Sequence, residues 1–348
     1  MIVGFAEGIK TRNKFQNSSF KTEVPLQVLQ RAFLPGSPKR TPQMSTGLRR
    51  YNDLKVGEAA CSYRDTITAY TSSQADLDSA VRALTGPTND VYTSSNDEIA
   101  TLVEALWVEI FDAVERAPGS EYMSGASSEQ NVGYLSRLVD LLDAIRQSPA
   151  PPEPAGPKTT KDKYPIGAES CLWNDLPGFG AEARARWNVD PSLPSTDQAR
   201  NSWTNLNSFI ALLWSRYQVN QTPQSFDFAL YAIWTLRQTL EEVEDRKVLS
   251  GFVPAAAAWM CFDSSAEKIW QSCQQKRSWP PENKRAPAKT GPMWEQAGKE
   301  REDGFSRERW HFWKGRFVQI SGMNGMSDKM RKIALVASQR MGEVVGRS

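Results

Sequence analysis

The sequence has little histidine and no paired cysteine motif. Both absences limit the kinds of metal binding and catalysis that the protein can carry out. Of 348 residues only His311 is a histidine, so a multi-histidine metal site is excluded and acid–base catalysis near neutral pH has one imidazole available. The four cysteines, Cys61, Cys171, Cys261 and Cys273, occur without CxxC or CxC spacing. This pattern argues against zinc or dithiol redox chemistry and is typical of reduced thiols in a reducing compartment.

Long apolar runs are missing too. The longest, Phe252–Phe262, is far shorter than the ~20 residues that cross a bilayer, and the N-terminal stretch lacks the apolar core of a secretory signal. We therefore expect no membrane span and a cytoplasmic location. Lys and Arg total 42 against 40 Asp and Glu, a net charge of +2, so the whole-chain charge does not predict a nucleic-acid partner.

The basic residues are nevertheless concentrated near the N-terminus. Nine Lys or Arg lie between Lys10 and Arg50, with Glu23 as the single acid among many Ser, Thr and Pro residues. Such a stretch is typical of a solvated, irregular arm, and a transit-like or polyanion-binding arm is the alternative. We predict a basic irregular arm over residues 1–50.

Signatures for phosphate and metal binding are absent as well. There is no Gly-x-Gly-x-x-Gly or Walker A pattern, and Gly178–Gly180 follows Asp175-Leu176-Pro177 rather than a strand, which predicts a plain turn. The acidic segment Glu241–Asp245 ends an amphipathic helix and precedes Arg246-Lys247, as a solvated charged surface does. We therefore predict no cofactor and no bound metal.

What the sequence does contain is helical periodicity. Apolar residues recur three and four apart in the strong segments, and no alternating strand pattern exceeds about five residues. Capping patterns at Ser95–Glu98, Ser127–Gln130 and Ser195–Gln198 mark helix starts, and Gly86-Pro87 is predicted to stop a helix that runs from Ser73. Later helices are predicted at Thr222–Val243, Pro254–Phe262, Ser264–Cys273, Ser306–Ser321 and Asp328–Val345. The predicted fold class is all-α, an irregular helical bundle with a disordered or irregular N-terminal arm.

Composition divides the chain after the arm into three regions. Residues 148–165 hold six prolines and three lysines, which no helix or central strand accommodates, so this segment is predicted to be a linker or long surface loop. It separates an N-terminal helical region, 51–147, from a C-terminal helical region, 166–348, that contains eleven of the twelve tryptophans. The alternative is that both regions form one continuous body.

The segment 305–317 combines large aromatic area, the imidazole and two arginines. On a helix its aromatic side chains share one face, and its arginines, seven residues apart, lie on one side where they could hold a carboxylate. The candidate site residues are His311 as acid or base and, for ligand binding, Arg309, Trp310, Trp313, Arg316 and Phe317. The alternative is that these residues only lock the helix to its neighbours. The abundance of tryptophan favours an aromatic-lined cavity for a rigid, apolar ligand.

Two stretches carry a resemblance to a known family. The first is Gly167–Gly180 (GAESCLWNDLPGFG) with Ala183–Asn188 (ARARWN), and the second is Gly291–Trp294 (GPMW) with Gly304–Phe317 (GFSRERWHFWKGRF). Together they resemble a large, tryptophan-rich family of uncharacterised fungal proteins, a domain of unknown function, over roughly residues 90–345. The resemblance implies a soluble, helical protein of filamentous fungi with relatives in secondary-metabolite gene clusters. It implies no catalytic residues.

Two functional hypotheses follow. The first is a cofactor-independent cyclase or isomerase that acts on an apolar polycyclic intermediate, since proximity and restricted conformation can supply ~7–11 kcal/mol of a barrier and an Arg, Tyr or Trp donor can add polarisation. The second is a non-catalytic helical scaffold or protein-interaction module. The expected partner is thus a small apolar molecule or another protein, with no nucleic acid.

The proline-rich segment provides a first test. We expect limited trypsinolysis of the native chain to cut first at Lys158, Lys161 or Lys163, because an extended exposed segment enters a protease active site more readily than a packed helix. Peptide mass mapping of early products checks this. Early cleavage elsewhere, with these three lysines spared, would contradict the linker assignment.

Overall fold

The computed structural model describes residues 54–93, 99–118, 126–149, 151, 172–188, 196–217, 226–279 and 286–347. Within these ranges the fold is all-α, as predicted: no strand occurs, and only two isolated bridges, Ser278–Gly304 and Lys289–Asp303, are present. The predicted arm at 1–50 and almost all of the proline-rich segment lie outside the described residues. None of the described helices is long and apolar enough to cross a membrane.

The helices are numbered here in chain order. They are α1 (Leu54–Thr71), α2 (Leu77–Thr93), α3 (Ile99–Glu115), α4 (Ala126–Arg146), α5 (Leu172–Asp175), α6 (Phe179–Trp187), α7 (Asp197–Arg216), α8 (Ala229–Arg237), α9 (Arg246–Cys261), α10 (Asp263–Gln274), α11 (Pro292–Gln296), α12 (Arg307–Ser321) and α13 (Asp328–Arg347). A short π-helical turn, Gln238–Glu242, continues α8.

Helix α7 lies at the centre of the bundle. It packs against α3, α4 and α6 on one side and against α9 and α10 on the other, so helices from both sides of the proline-rich segment share one core. A helix buried on several faces is expected to be apolar all round, yet α7 buries polar side chains as well. Their hydrogen bonds are internal: Asn205 Nδ2, for example, donates to Ala117 O at 3.0 Å.

The prediction that Gly86-Pro87 stops a helix is wrong, since α2 runs through both residues to Thr93. Pro87 removes one N–H from the helical ladder, but Gly86 has no Cβ to clash with the proline ring, so the residue before proline stays helical. The predicted start was also early. Ser73 has φ 65° in a left-handed turn, and α2 begins at Leu77, where Asp76 Oδ1 accepts from Ser79 N at 2.8 Å.

Cap positions differ from the predicted ones in three places. Thr196, one residue beyond Ser195, caps α7 by accepting from Ala199 N. Asp245 caps α9 through Lys247 N and Val248 N, so Pro254 lies inside α9 rather than at the start of a short helix. Helix α4 is already helical at Ala126, before the predicted box at Ser127–Gln130. The box at Ser95–Glu98 lies outside the described residues.

The π turn at Gln238–Glu242 was not predicted. A π turn holds an extra residue relative to an α-helical repeat, so it changes which side chains face inward. Leu240 and Glu241 are both fully buried here, while Glu242 is exposed. A carboxylate is thereby turned into the core, which the helical stripe over Thr222–Val243 does not anticipate.

Alanine substitutions at two glycines, Gly304 and Gly315, test the packing around α12. A Cβ on Gly304, which has φ 129°, would lie 2.3 Å from Arg277 O, whereas a Cβ on Gly315 inside α12 would meet nothing within 4 Å. We expect Gly304→Ala to lower the free energy of unfolding by about 1–3 kcal/mol. Gly315→Ala should raise it by about 0.5–1 kcal/mol, because alanine loses less backbone entropy in a helix. Urea denaturation of both variants measures this, and equal effects would contradict the close approach at Gly304.

Candidate functional site

The C-terminal part of the core is closed by residues 286–306, which we call the strap. The strap doubles back on itself: Thr290 N donates to Glu302 O at 2.9 Å and Gly304 N donates to Ala288 O at 3.1 Å. Trp234 Nε1 of α8 donates to Pro287 O at 2.7 Å and so fixes the beginning of the strap against α8. The strap thus lies against the π turn, and a Cβ on Gly291 would be only 2.8 Å from Glu241 Cβ.

Glu241 is the buried acid at the centre of this arrangement. Its Oε1 accepts from Arg309 Nε at 2.7 Å and from Trp313 Nε1 at 2.6 Å. Its Oε2 accepts from Gly291 N at 2.6 Å and from Arg309 Nη2 at 3.1 Å. The expectation of a solvated charged surface is therefore wrong for Glu241. It describes Glu242, Glu244 and Asp245, which are exposed.

Arg309 is also fully buried, and all of its donor groups are used. Beyond its two bonds to Glu241, Nη1 donates to Ala288 O at 2.8 Å and Gly304 O at 2.7 Å, and Nη2 donates to Lys289 O at 3.3 Å. A guanidinium has five N–H donors, so this one is saturated by the chain itself. The sequence predicts that Arg309 could hold the carboxylate of a ligand. The carboxylate that it binds in the structure is that of Glu241, in the same chain.

The other predicted site residues do not converge on one point. Trp310 packs against Trp270, and Phe317 is buried. Arg316 donates from Nε to Leu240 O of the π turn at 3.1 Å, and burial lowers its pKa. His311 is exposed, with its ring 6.1 Å from that of Trp270. The structure therefore brings Arg309 and Trp313 together at Glu241 and places His311 on the opposite, outward side.

A second buried polar centre, Asn207 on α7, was missed in the sequence. Its Oδ1 accepts from Thr235 Oγ1 at 2.8 Å, Trp259 Nε1 at 3.0 Å and Trp187 Nε1 at 3.4 Å. Its Nδ2 donates to Trp203 O at 3.0 Å. One feature of the sequence does indicate this centre. Asn207 follows Trp203 by four residues on an apolar helix face, where a buried side-chain amide requires hydrogen-bond partners.

An aromatic cage was missed as well. The Arg184 guanidinium carbon lies 4.2 Å from the ring centroid of Trp234, 5.3 Å from Trp187 and 5.7 Å from Tyr231. Burial lowers the pKa of Arg184, and burial raises the pKa of Tyr231 to about 12. Cation–π contacts of this type stabilise a partly desolvated cation by roughly 0.5–2 kcal/mol. The cage is filled by a side chain of the same chain.

The tryptophans pack mainly on each other and on the rest of the core. Eleven are no more than 8% exposed, and Trp279 is half-buried. Their ring contacts join the helices in pairs: Trp214 with Trp259 at 6.0 Å, and Trp270 with Trp310 at 5.4 Å. Two indole N–H groups, Trp214 Nε1 and Trp310 Nε1, are buried without an acceptor among the described residues. In the same part of the chain, no group of three or more His, Cys, Asp or Glu could hold a metal ion.

The molecule is thus an all-α protein with a tryptophan-rich core organised around two internal polar centres. The family described as Protein of unknown function (DUF3632) matches residues 107–317, and the chain belongs to this family. The matched range contains both polar centres and ends at Phe317 on α12. No curated protein and no solved structure matches the chain significantly.

The two indoles of α12 provide a matched test of the Glu241 centre. Trp310→Phe and Trp313→Phe remove similar volume, but only Trp313 donates to a buried carboxylate. We expect Trp313→Phe to cost about 1.5–3 kcal/mol more than Trp310→Phe, since a hydrogen bond to a charged group has that value and its loss leaves the acid under-solvated. Thermal and urea unfolding of both variants measure the difference. Equal losses would show that Glu241 does not depend on the indole donor.

Proposed function

We propose that this chain is a non-catalytic helical scaffold that binds another protein, and that it serves specialised metabolism in the cytoplasm of a fungus. The observation that supports this most directly is that side chains predicted to bind a ligand form hydrogen bonds with other residues of the same fold instead. Arg309 and Trp313 bind Glu241, and Arg316 binds the π turn. Groups that already bond to each other in a core are poor candidates for contacting a substrate.

The burial of the aromatic residues supports the same proposal. The surplus of tryptophan, which favours a ligand cavity at the level of sequence, is consumed by ring–ring packing between helices. Each such residue brings 150–250 Å² of surface to the core. Aromatic side chains that pack on each other between helices hold those helices rigidly. A rigid helix face is suited to presenting a binding surface to a partner.

The candidate binding surface lies on the α12–α13 hairpin. Val318 on α12 is 51% exposed and Leu335 on α13 is 43% exposed, and these are the exposed large hydrophobic residues of the described chain. The two helices pack extensively along each other. Exposed aliphatic side chains on a rigid helix pair are the kind of group that a partner protein buries.

A catalytic role is the second candidate, and one observation favours it. The indole N–H of Trp310 is buried without an acceptor among the residues described, and it lies in the helix that the sequence favours as a pocket wall. Such a donor could polarise the carbonyl oxygen of an apolar intermediate in a cyclisation or isomerisation. Exposed His311 would then act as the acid or base.

The two candidates predict opposite results for matched variants in the source organism. In a deletion strain we expect Val318→Asp/Leu335→Asp to lose the proteins that crosslink to the wild-type chain and to lose complementation of the metabolite profile. The control Gln319→Asp/Gln339→Asp adds the same charge on the same helices and should keep both. His311→Gln and Trp310→Phe should also complement. Loss of product with either of these variants, with crosslinks intact, would instead support the catalytic candidate.

A further inference from the structure

The exposed aliphatic residues of the α12–α13 hairpin lie beside the line along which its two helices meet. Lys314 of α12 reaches across this line, since a Cβ on Gly342 of α13 would be only 2.9 Å from Lys314 Nζ. Val318 follows Lys314 by one helical turn and Leu335 precedes Gly342 by two, so each lies on the same side of its helix as a residue of that contact. Because the helices are antiparallel and rest on one core, Val318 and Leu335 share the solvent-facing side of the hairpin.

Two lysines accompany these aliphatic side chains. Lys314 precedes Val318 by four residues and Lys332 precedes Leu335 by three, so each lysine neighbours one aliphatic residue on the helix surface. Lys332 is exposed and Lys314 is half-buried. Neither forms an ion pair with any of the residues that the structure describes. Both ammonium groups can therefore pair with a carboxylate of another molecule.

The hairpin as a whole is strongly basic. Residues 307–347 contain nine Lys or Arg and three acids, a net charge of +6, although the whole chain has a net charge of only +2. Arg309 is neutralised by Glu241 in the core, and two of the acids, Asp328 and Glu343, pair with neighbouring arginines of α13. Most of the positive charge is thus left unbalanced within the hairpin, and it favours a negatively charged partner.

A second copy of the described chain does not match this surface. Val318 and Leu335 are its exposed large hydrophobic residues, so a second copy could offer an aliphatic group only from its own hairpin. The contact would then be symmetric and would bring two surfaces of net charge +6 together. Like charges placed against each other oppose such an association.

An anionic membrane surface matches the charge but not the apolar part. Helices that lie in a membrane interface insert a continuous apolar face that carries Trp, Phe or Leu. Here the apolar part consists of two aliphatic side chains, and the exposed neighbours His311, Gly315 and Gln339 interrupt it. A surface of two aliphatic side chains and two lysines has the size of a contact with one helix.

We propose that the hairpin binds an acidic amphipathic helix of a partner protein. Val318 and Leu335 contact the apolar stripe of that helix, and Lys314 and Lys332 pair with carboxylates at its edges. Gly315 leaves room for this approach, because a Cβ there would meet nothing within 4 Å. The inference rests on the scaffold role proposed above and names the chemistry of the partner.

The experiment compares two synthetic helical peptides on the folded full-length chain. Each peptide has about 18 alanine-based residues, enough to form a helix, with leucines three and four apart on one face. One carries glutamates beside the leucines and the other carries lysines there. Fluorescence anisotropy should show at least about ten-fold tighter binding of the glutamate peptide, and raising the salt from about 50 to about 300 mM should slow its association.

Variants with reversed charge locate the effect. Lys314→Glu/Lys332→Glu should keep the melting temperature and slow association of the glutamate peptide by about ten-fold, because rim charges act mainly on the association rate. The control Lys247→Glu/Lys276→Glu makes the same change in net charge at exposed positions outside the hairpin and should slow association less than about two-fold. Equal effects of the two double variants would overturn the proposal.

Two further results separate this inference from the scaffold role. If the lysine variant keeps the crosslinked proteins that Val318→Asp/Leu335→Asp loses, or if the two peptides bind equally, the acidic helix is overturned and the scaffold role stands. If the aspartate variant keeps its crosslinks, the scaffold role fails and this inference fails with it. Tighter binding to phosphatidylserine vesicles than to the glutamate peptide would overturn the proposal in favour of a membrane surface.

Discussion

The buried ion pair between Glu241 and Arg309 is the interaction on which the C-terminal half of the structure depends. Two charges without water must find partners for every lone pair and N–H inside the protein, or the cost is several kcal/mol. That requirement accounts for the π turn that points Glu241 inward, the strap that supplies three carbonyls and an amide, and Trp313 on α12. Removing either charge would leave the other buried and unpaired, which typically costs about 3–5 kcal/mol.

Buried polar centres such as those at Glu241 and Asn207 select one arrangement of the helices around an aromatic core. Aromatic pairs pack in both offset-stacked and edge-to-face geometries, so contacts between tryptophan rings restrict the relative orientation of two helices less sharply than directional hydrogen bonds do. The Asn207 centre accepts from α6, α8 and α9 at once, and it satisfies three donors only when those helices are in register. Fully satisfied buried networks rigidify a core and define a single packing. The tryptophans supply buried area, and the polar centres determine which arrangement uses it.

Local signals in the sequence were sufficient for most helices, because the 3.6-residue period and capping side chains act over a few residues. Helices α12 and α13 lie within two residues of their predicted bounds. The failures concern interactions between distant residues. Glu241 stands in an acidic run that resembles a solvated surface, and only its partner 68 residues later makes its burial favourable. Pro87 continues a helix because of the glycine before it. The sequence singles out the segment that contains Arg309 and Trp313, but it gives no indication that their acceptor is the internal carboxylate of Glu241.

The distance along the chain between the two charges also affects the order of folding. Glu241 is synthesised 68 residues before Arg309, so during translation the carboxylate has no partner until α12 emerges. A carboxylate in that position remains hydrated, because burying it alone is costly. The π turn and strap therefore close after the earlier helices have packed, and closure of such a long loop is slow relative to helix formation. Core aromatic residues that stay uncovered before such a closure are the kind of transiently exposed hydrophobic surface that promotes aggregation during folding.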